Sequence, residues 1–232
     1  MFPNYWQTTI GMLCLVLSAC QSPFLNGISS TSSSSHSKTS TDVISTDTNY
    51  RKGQETAKVL AKFTISTQGI GDAQIGLTYG QLKAKLGQAA QFQVKAPFIV
   101  DFDAIAVYQS GQVQYCILYP AGEALKDTDV IEALLTENPN YRTVEGIGPG
   151  TPLEQAEKVY GKATLSYNTS NESREYVRFA NQPFSNIYFR PVVGQKELAG
   201  IYAKPAQEYN ETRFFQDSAI IRSVEVIKES KT

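Results

Sequence analysis

Residues 76–87, Gly-Leu-Thr-Tyr-Gly-Gln-Leu-Lys-Ala-Lys-Leu-Gly, align without gaps on residues 150–161, Gly-Thr-Pro-Leu-Glu-Gln-Ala-Glu-Lys-Val-Tyr-Gly. Both passages begin and end with glycine, and Gln81 corresponds to Gln155. Each passage spaces its apolar residues at i, i+3 and i+7, which predicts a short helix with one buried side. These apolar residues are Tyr79, Leu82 and Leu86 in the first copy and Leu153, Ala156 and Tyr160 in the second.

Both copies also carry the residues that begin and end helices. Thr78 and Gln81 form the pattern of a capping box, and Gly87 follows the last apolar position, where glycine commonly ends a helix. The second copy predicts the same at its start, with the N-cap, first-turn proline and capping-box acid given by Thr151, Pro152 and Glu154, and it ends at Gly161.

Runs rich in β-branched and aromatic residues follow each predicted helix, separated by turn residues. They are 91–94, 98–107, 112–119 and 130–136 after the first helix, and 164–167, 175–179, 186–189, 200–204 and 220–227 after the second. The sequence therefore predicts an α+β fold of two related units, each a short helix followed by an antiparallel β-meander, packed as one body. The first unit spans 57–140 and the second 141–232.

Residues 75–87 resemble the glycine-threonine helix entry of the small outer-membrane assembly lipoproteins of the SmpA/BamE kind, and of the tandem β-lactamase-inhibitor proteins. The resemblance implies helices packed on an antiparallel sheet. It also implies two such units in tandem, as in the inhibitors, on a lipidated tether, as in the assembly lipoproteins. None of the residues that carry inhibition or assembly in those families can be assigned to a position here.

The amino terminus has the features of a bacterial lipoprotein signal. An uncharged apolar run spans 10–19, about half the length needed to cross a bilayer as a helix, and ends in Leu17-Ser18-Ala19-Cys20. We expect cleavage after residue 19 and acylation of Cys20, although no lysine or arginine precedes the run. The protein is then anchored by lipid to a membrane of the cell envelope, facing the periplasm or the exterior.

The segment 20–56 is predicted to be a disordered tether, because it is rich in serine and threonine and poor in large apolar residues. It contains His36, which is the only histidine of the chain. The remainder of the chain therefore offers no imidazole for a serine or cysteine nucleophile, and no zinc-binding set. We expect no cofactor, no metal and no enzymatic activity.

The overall charge is close to balanced, with 21 basic and 22 acidic residues, so nothing indicates a nucleic-acid footprint. Cys116, the one cysteine beyond the signal and its junction, is interpreted as a buried strand residue. Asp101 and Asp103 leave open an alternative, since two carboxylates on one side of a strand could serve as an acid and a base in an envelope hydrolase. A small-ligand carrier with its site between the two units is a further alternative.

The most promising interaction residues are Arg174, Tyr176, Arg178 and Arg190. Arginine and tyrosine dominate the hot spots of protein interfaces. The same pattern is also typical of a solvated sheet face with cross-strand ion pairs. The leading hypothesis is a non-catalytic, lipid-anchored envelope protein that binds a protein partner or assists assembly.

Overall fold

The structure is a computed structural model that describes residues 62–194, 198–204 and 206–229. The predicted signal peptide 1–19, the predicted tether 20–56 and the predicted acylation site Cys20 lie outside the described residues. Within the described ranges, no helix has the length and apolar character required to cross a membrane.

The described chain begins with three two-residue strands, β1 (Ile65–Ser66), β2 (Gly69–Ile70) and β3 (Ala73–Gln74), which form a small antiparallel sheet. Helix α1 and a 3₁₀ turn follow, and then four strands; helix α2 follows next, and then five strands. The bounds are α1 (Tyr79–Leu86), β4 (Gln91–Ile99), β5 (Phe102–Gln109), β6 (Gln112–Pro120), β7 (Ala133–Thr136), α2 (Leu153–Tyr160), β8 (Ala163–Asn168), β9 (Glu175–Phe179), β10 (Ile187–Val192), β11 (Tyr209–Thr212) and β12 (Ile220–Ile227).

Nine of these strands form one antiparallel sheet in the order β11-β8-β9-β10-β12-β7-β6-β5-β4. The protein is therefore mainly β, and the predicted α+β arrangement of two helix-plus-meander units is wrong. The physical reason is the position of β12, which pairs with β10 on one side and β7 on the other. This strand joins the two halves into one continuous sheet. The two eight-residue helices pack on one face of that sheet.

The helices occupy the predicted segments and bury the predicted apolar residues. Thr78 caps α1 as expected, because its side chain accepts from the Gln81 amide while the Gln81 side chain accepts from the Thr78 amide. The capping prediction for α2 is wrong. Its N-cap is Pro152, which has no side-chain cap, and the Thr151 hydroxyl instead accepts from the Gly148 amide in the preceding turn.

Two of the strand predictions are also wrong. The run 98–107 is interrupted by a turn at Val100 and Asp101, which separates β4 from β5. Residues 200–204 make only an isolated bridge, between Gly200 and Phe215, and the strand of this region is β11 instead.

Both helices pack on the same face of the large sheet, which we call the helix face. The main core lies between the two helices and this face of the sheet, and aromatic rings fill much of it. Tyr79 of α1 contacts Phe92 of β4 edge to face, and Tyr160 of α2 packs against Phe179 and Phe189 of β9 and β10. The helices thus cover one face and leave the other to carry a different set of residues.

Candidate functional site on the concave sheet face

The second face of the large sheet, which we call the concave face, is apolar at one end. Ala106, Cys116 and Leu135 are register partners across β5, β6 and β7, so their side chains share this face. Strand β6 is consequently buried on both faces along most of its length. The buried cluster comprises Ala104, Ala106, Cys116, Leu118, Ala133 and Leu135, with Phe98, Phe102, Tyr108 and Ile227 packed against it.

A contact between two hairpin turns shows that the sheet curls around this face. The Arg174 guanidinium, just before β9, donates to Asp101 Oδ2, just before β5, over 2.7 Å. Four strands lie between β9 and β5 in the sheet order, so a flat sheet would hold the two strands about 24 Å apart. An arginine side chain cannot span that distance. The sheet must therefore coil strongly, and Arg174 joins its two ends.

The centre of the concave face holds a buried carboxylate, Glu225 of β12, which is only 3% exposed. The Tyr176 hydroxyl donates to its Oε2 over 3.3 Å. The Arg190 Nη1 lies 3.8 Å from its Oε1, and the Arg190 guanidinium also stacks over the Tyr176 ring at 5.9 Å. Burial raises the pKa of Glu225, and the attraction of Arg190 only partly offsets this.

Two polar atoms of this cluster have no hydrogen-bond partner among the described residues: Glu225 Oε1 and Arg174 Nε. Both are buried, although a second guanidinium nitrogen of Arg174, Nη2, donates to Asp101, Asn171 and Glu172. Buried groups without partners cost free energy, so the cluster is retained against a local penalty.

A cleft of about 360 Å³ opens beside this cluster. Its walls include Arg178 and Tyr188, which are cross-strand neighbours because Val177 pairs with Phe189. Arg178 is exposed, and its side chain makes no ion pair or hydrogen bond with the described residues. Tyr188 is 37% exposed and contacts Tyr176 edge to face at 6.1 Å. The remaining lining residues are Ser166, Tyr176, Val177, Gln182, Ile187 and Ile227.

The structure brings three of the four predicted interaction residues into one cluster. Arg174, Tyr176 and Arg190 surround Glu225, and Arg174 and Arg190 also line a second cleft of about 280 Å³. Arg178 stands apart from them in the larger cleft. The four residues share the concave face, since they alternate along β9 and β10 with residues of the main core.

Sequence reasoning missed Glu225, Tyr188 and the part that Asp101 plays. A signal for Glu225 exists, because a carboxylate stands between Val224 and Val226 in an otherwise apolar strand. Such a residue is buried beside a partner or marks a wet face. The sequence offered no comparable signal for the contact between Asp101 and Arg174.

The other candidate chemistry is dispersed. Asp101 pairs with Arg174, whereas Asp103 accepts from the Gly122 amide over 3.0 Å, so the two carboxylates serve different local contacts. Burial raises the pKa of the Cys116 thiol to about 11, which keeps it protonated at neutral pH. Within the described residues, no group of three or more histidine, cysteine or acidic side chains could hold a metal ion.

The chain matches no protein-family model and no curated protein. Among solved structures, it is similar to the uncharacterized protein yfeY from Escherichia coli. The two chains share 12% sequence identity, with a TM-score of 0.46 over 71% of this chain and 99% of that one. A similarity this distant assigns neither a family nor a function.

Proposed function

We propose that the protein is a non-catalytic binding module of the bacterial cell envelope, which binds a partner protein through the concave face of its sheet. The observation that carries this proposal is the grouping of Arg178, Tyr188, Tyr176 and Arg190 as cross-strand neighbours. Exposed arginine and tyrosine held at fixed positions on a sheet are the usual anchors of protein interfaces. Tyr176, Tyr188 and Arg190 are also held by mutual ring and cation contacts, which lowers the entropy that they lose on binding.

Charge supports a short-range contact in preference to long-range capture. The whole chain carries a formal net charge of −1. Arg174 and Arg190 have acidic partners in Asp101 and Glu225, while Arg178 has none among the described residues. A partner would therefore be recognised by fit and local pairing, with a modest salt dependence.

Site-specific photocrosslinking in the native host tests this proposal. A photoreactive phenylalanine analogue in place of Tyr188 should give a discrete protein adduct, and Arg178→Ala should reduce its yield. Val159 is the matched control, because it is 43% exposed and lies on α2, across the sheet from the concave face. Equal adducts from both positions, or none from Tyr188, would contradict binding through this face.

The envelope location rests on the Leu17-Ser18-Ala19-Cys20 pattern and is tested separately. Cys20→Ala should release the protein from the membrane fraction, because no acyl chain could then be attached. Cys14→Ala is the control, since it leaves the predicted acylation site intact. A Cys20→Ala protein that remained in the membrane fraction would refute the lipid anchor.

A further inference from the structure

The cleft beside Tyr188 contains one cationic side chain, that of Arg178, which has no acidic partner among the described residues. Each of the other two arginines of the cluster has a carboxylate within 4 Å: Asp101 for Arg174 and Glu225 for Arg190. Arg178 has no carboxylate partner among the described residues, although its backbone is held in β9 opposite Thr164 of β8. Its planar fork of donors matches a carboxylate.

One part of the same cleft is apolar. Its apolar surface comes from Ile227 and the ring of Tyr188, since the side chains of Val177 and Ile187 point to the main core on the helix face. A volume of about 360 Å³ lies near the lower end of the range for small-ligand sites. It is enough for one apolar side chain together with a carboxylate.

Polar groups at the rim indicate what accompanies that carboxylate. The hydroxyls of Ser166 and Tyr188 line the cleft and make no hydrogen bond within the described residues. Gln182 directs its Nε2 to two backbone carbonyls, those of Phe184 and Ile187, and its Oε1 is buried without a partner. Free hydroxyls beside an apolar surface can form hydrogen bonds with the N–H and C=O groups of a peptide bond. A fatty acid has no peptide bond, so it would leave these hydroxyls without partners.

We propose that this cleft binds the carboxyl-terminal residue of a partner polypeptide, with the terminal carboxylate on Arg178 and an apolar side chain against Ile227 and Tyr188. The proposal rests on the proposed function, because it names the part of the partner that the concave face recognises. Acidic side chains do not oppose it, since Glu225 lies against Arg190 and the described residues that line the cleft include no carboxylate.

The test is an NMR titration of the full chain with N-acetyl-L-phenylalanine, compared with N-acetyl-L-phenylalanine amide. The two probes differ only in the carboxylate. We expect the acid to bind about tenfold more tightly than the amide, because a charge-assisted pair is lost in the amide. Resonances of β9 and β10 should shift, while those of α2 should not.

Variants of two residues sharpen the result. Arg178→Gln should abolish the preference for the acid, and Arg178→Lys should retain part of it, whereas Tyr188→Ala should weaken both probes. Equal binding of acid and amide, or an acid preference that survives Arg178→Gln, would overturn the proposal. Tighter binding of decanoate than of the acetylated amino acid would also overturn it, by showing that the cleft takes a fatty acid.

The outcomes separate this proposal from the proposed function. Crosslinking at Tyr188 without any acid preference would leave a protein-binding face that does not read a carboxyl terminus. Acid binding without crosslinking would leave a small-molecule site and refute the binding module.

Discussion

Arg174 and Asp101 are 73 positions apart in sequence and directly precede two strands that are separated by four others, yet their side chains meet at 2.7 Å. The Arg174 side chain is 7% exposed and that of Asp101 is 53% exposed. The contact therefore joins a buried cation to a half-exposed anion at the point where the two ends of the curled sheet approach. Removal of this contact should let the two ends of the sheet separate while the secondary structure is largely kept.

We expect Asp101→Asn and Arg174→Met to be non-additive, with a coupling free energy of about 1 to 3 kcal/mol in urea unfolding. The exposed pair Lys228 and Glu132, 2.6 Å apart, is the control and should couple by less than about 1 kcal/mol. Additivity of the Asp101 and Arg174 changes would show that this contact does not hold the sheet ends together.

The same closure should protect Cys116, which lies buried on the concave face. In a background with Cys14→Ser and Cys20→Ser, Arg174→Met should increase the rate at which a thiol reagent labels Cys116. Lys228→Met is the matched control for loss of a cation. An unchanged labelling rate in Arg174→Met would mean that the concave face opens by another route.

A second buried carboxylate attaches the segment after β10 to the sheet. Glu175 accepts from the amides of Ala199 and Gly200 over 2.7 and 2.9 Å and from the Tyr202 hydroxyl over 2.7 Å. Glu175→Ala should lower the free energy of unfolding by about 3 kcal/mol, because three donors lose their acceptor. Hydrogen exchange at the Ala199 and Gly200 amides should also accelerate.

Glu154→Ala on the exposed side of α2 is the control for the Glu175 substitution. It should change stability by about 0.5 kcal/mol or less. If Glu175→Ala left the Ala199 and Gly200 amides protected, the backbone of that segment would be held by other contacts.

Tyr160 at the end of α2 fixes the preceding loop. Its hydroxyl lies 2.7 Å from Thr143 Oγ1 and donates to Glu145 Oε2 over 2.6 Å. Tyr160→Phe should cost about 1 to 2 kcal/mol in urea unfolding, since the ring packing stays and only the hydrogen bonds are lost. Tyr209→Phe removes an exposed hydroxyl and should be nearly neutral; equal effects of the two changes would argue against the buried network.

The buried Glu225 gives stability a characteristic pH dependence. Because its pKa is raised in the folded protein, the folded state binds more protons than the unfolded chain between the ordinary and the raised pKa. The free energy of unfolding therefore loses a contribution from this group as pH rises through that interval, and is level above it. The groups facing Glu225 are Arg190, Tyr176 and Arg174.

Glu225→Gln removes the ionisation, so the stability of the variant relative to wild type should increase as pH rises from the ordinary pKa of a glutamate to the raised pKa of Glu225. Urea unfolding at several pH values measures the difference. Glu154→Gln, on the exposed side of α2, should show no such trend. A relative stability that declined with pH would show that the Arg190 contact outweighs burial.

The parts of the fold that the sequence predicts are those set by neighbouring residues. Thr78 and Gln81 cap α1 with groups three positions apart, and the Ser110-Gly111 turn has the positive φ values of 51° and 76° that join β5 to β6 in a hairpin. Partner choice between distant strands has no such local signal. The insertion of β12 between β10 and β7 follows from packing across the whole sheet. This is why the α+β fold class predicted from the sequence is wrong.

The candidate site also contains some residues that the sequence predicts and others that it does not. Arg174, Tyr176, Arg178 and Arg190 were found by residue type on alternating positions of two strands. Glu225 and Tyr188 complete the face from strands whose register the sequence did not reveal. The separation of Arg178 from the paired arginines depends on where carboxylates lie in three dimensions, which no spacing rule supplies.

Strand β12 also determines when the large sheet can be completed as the chain is synthesised or exported. It is the fifth of nine strands across the large sheet and the last of them along the chain. Its neighbours β10 and β7 do not pair with each other. A ribosome or a translocation channel that releases the chain from its amino terminus therefore delivers the central strand after all eight others. Until residues 220–227 emerge, β10 and β7 each have an unpaired edge, and unpaired strand edges can pair with other unfolded chains.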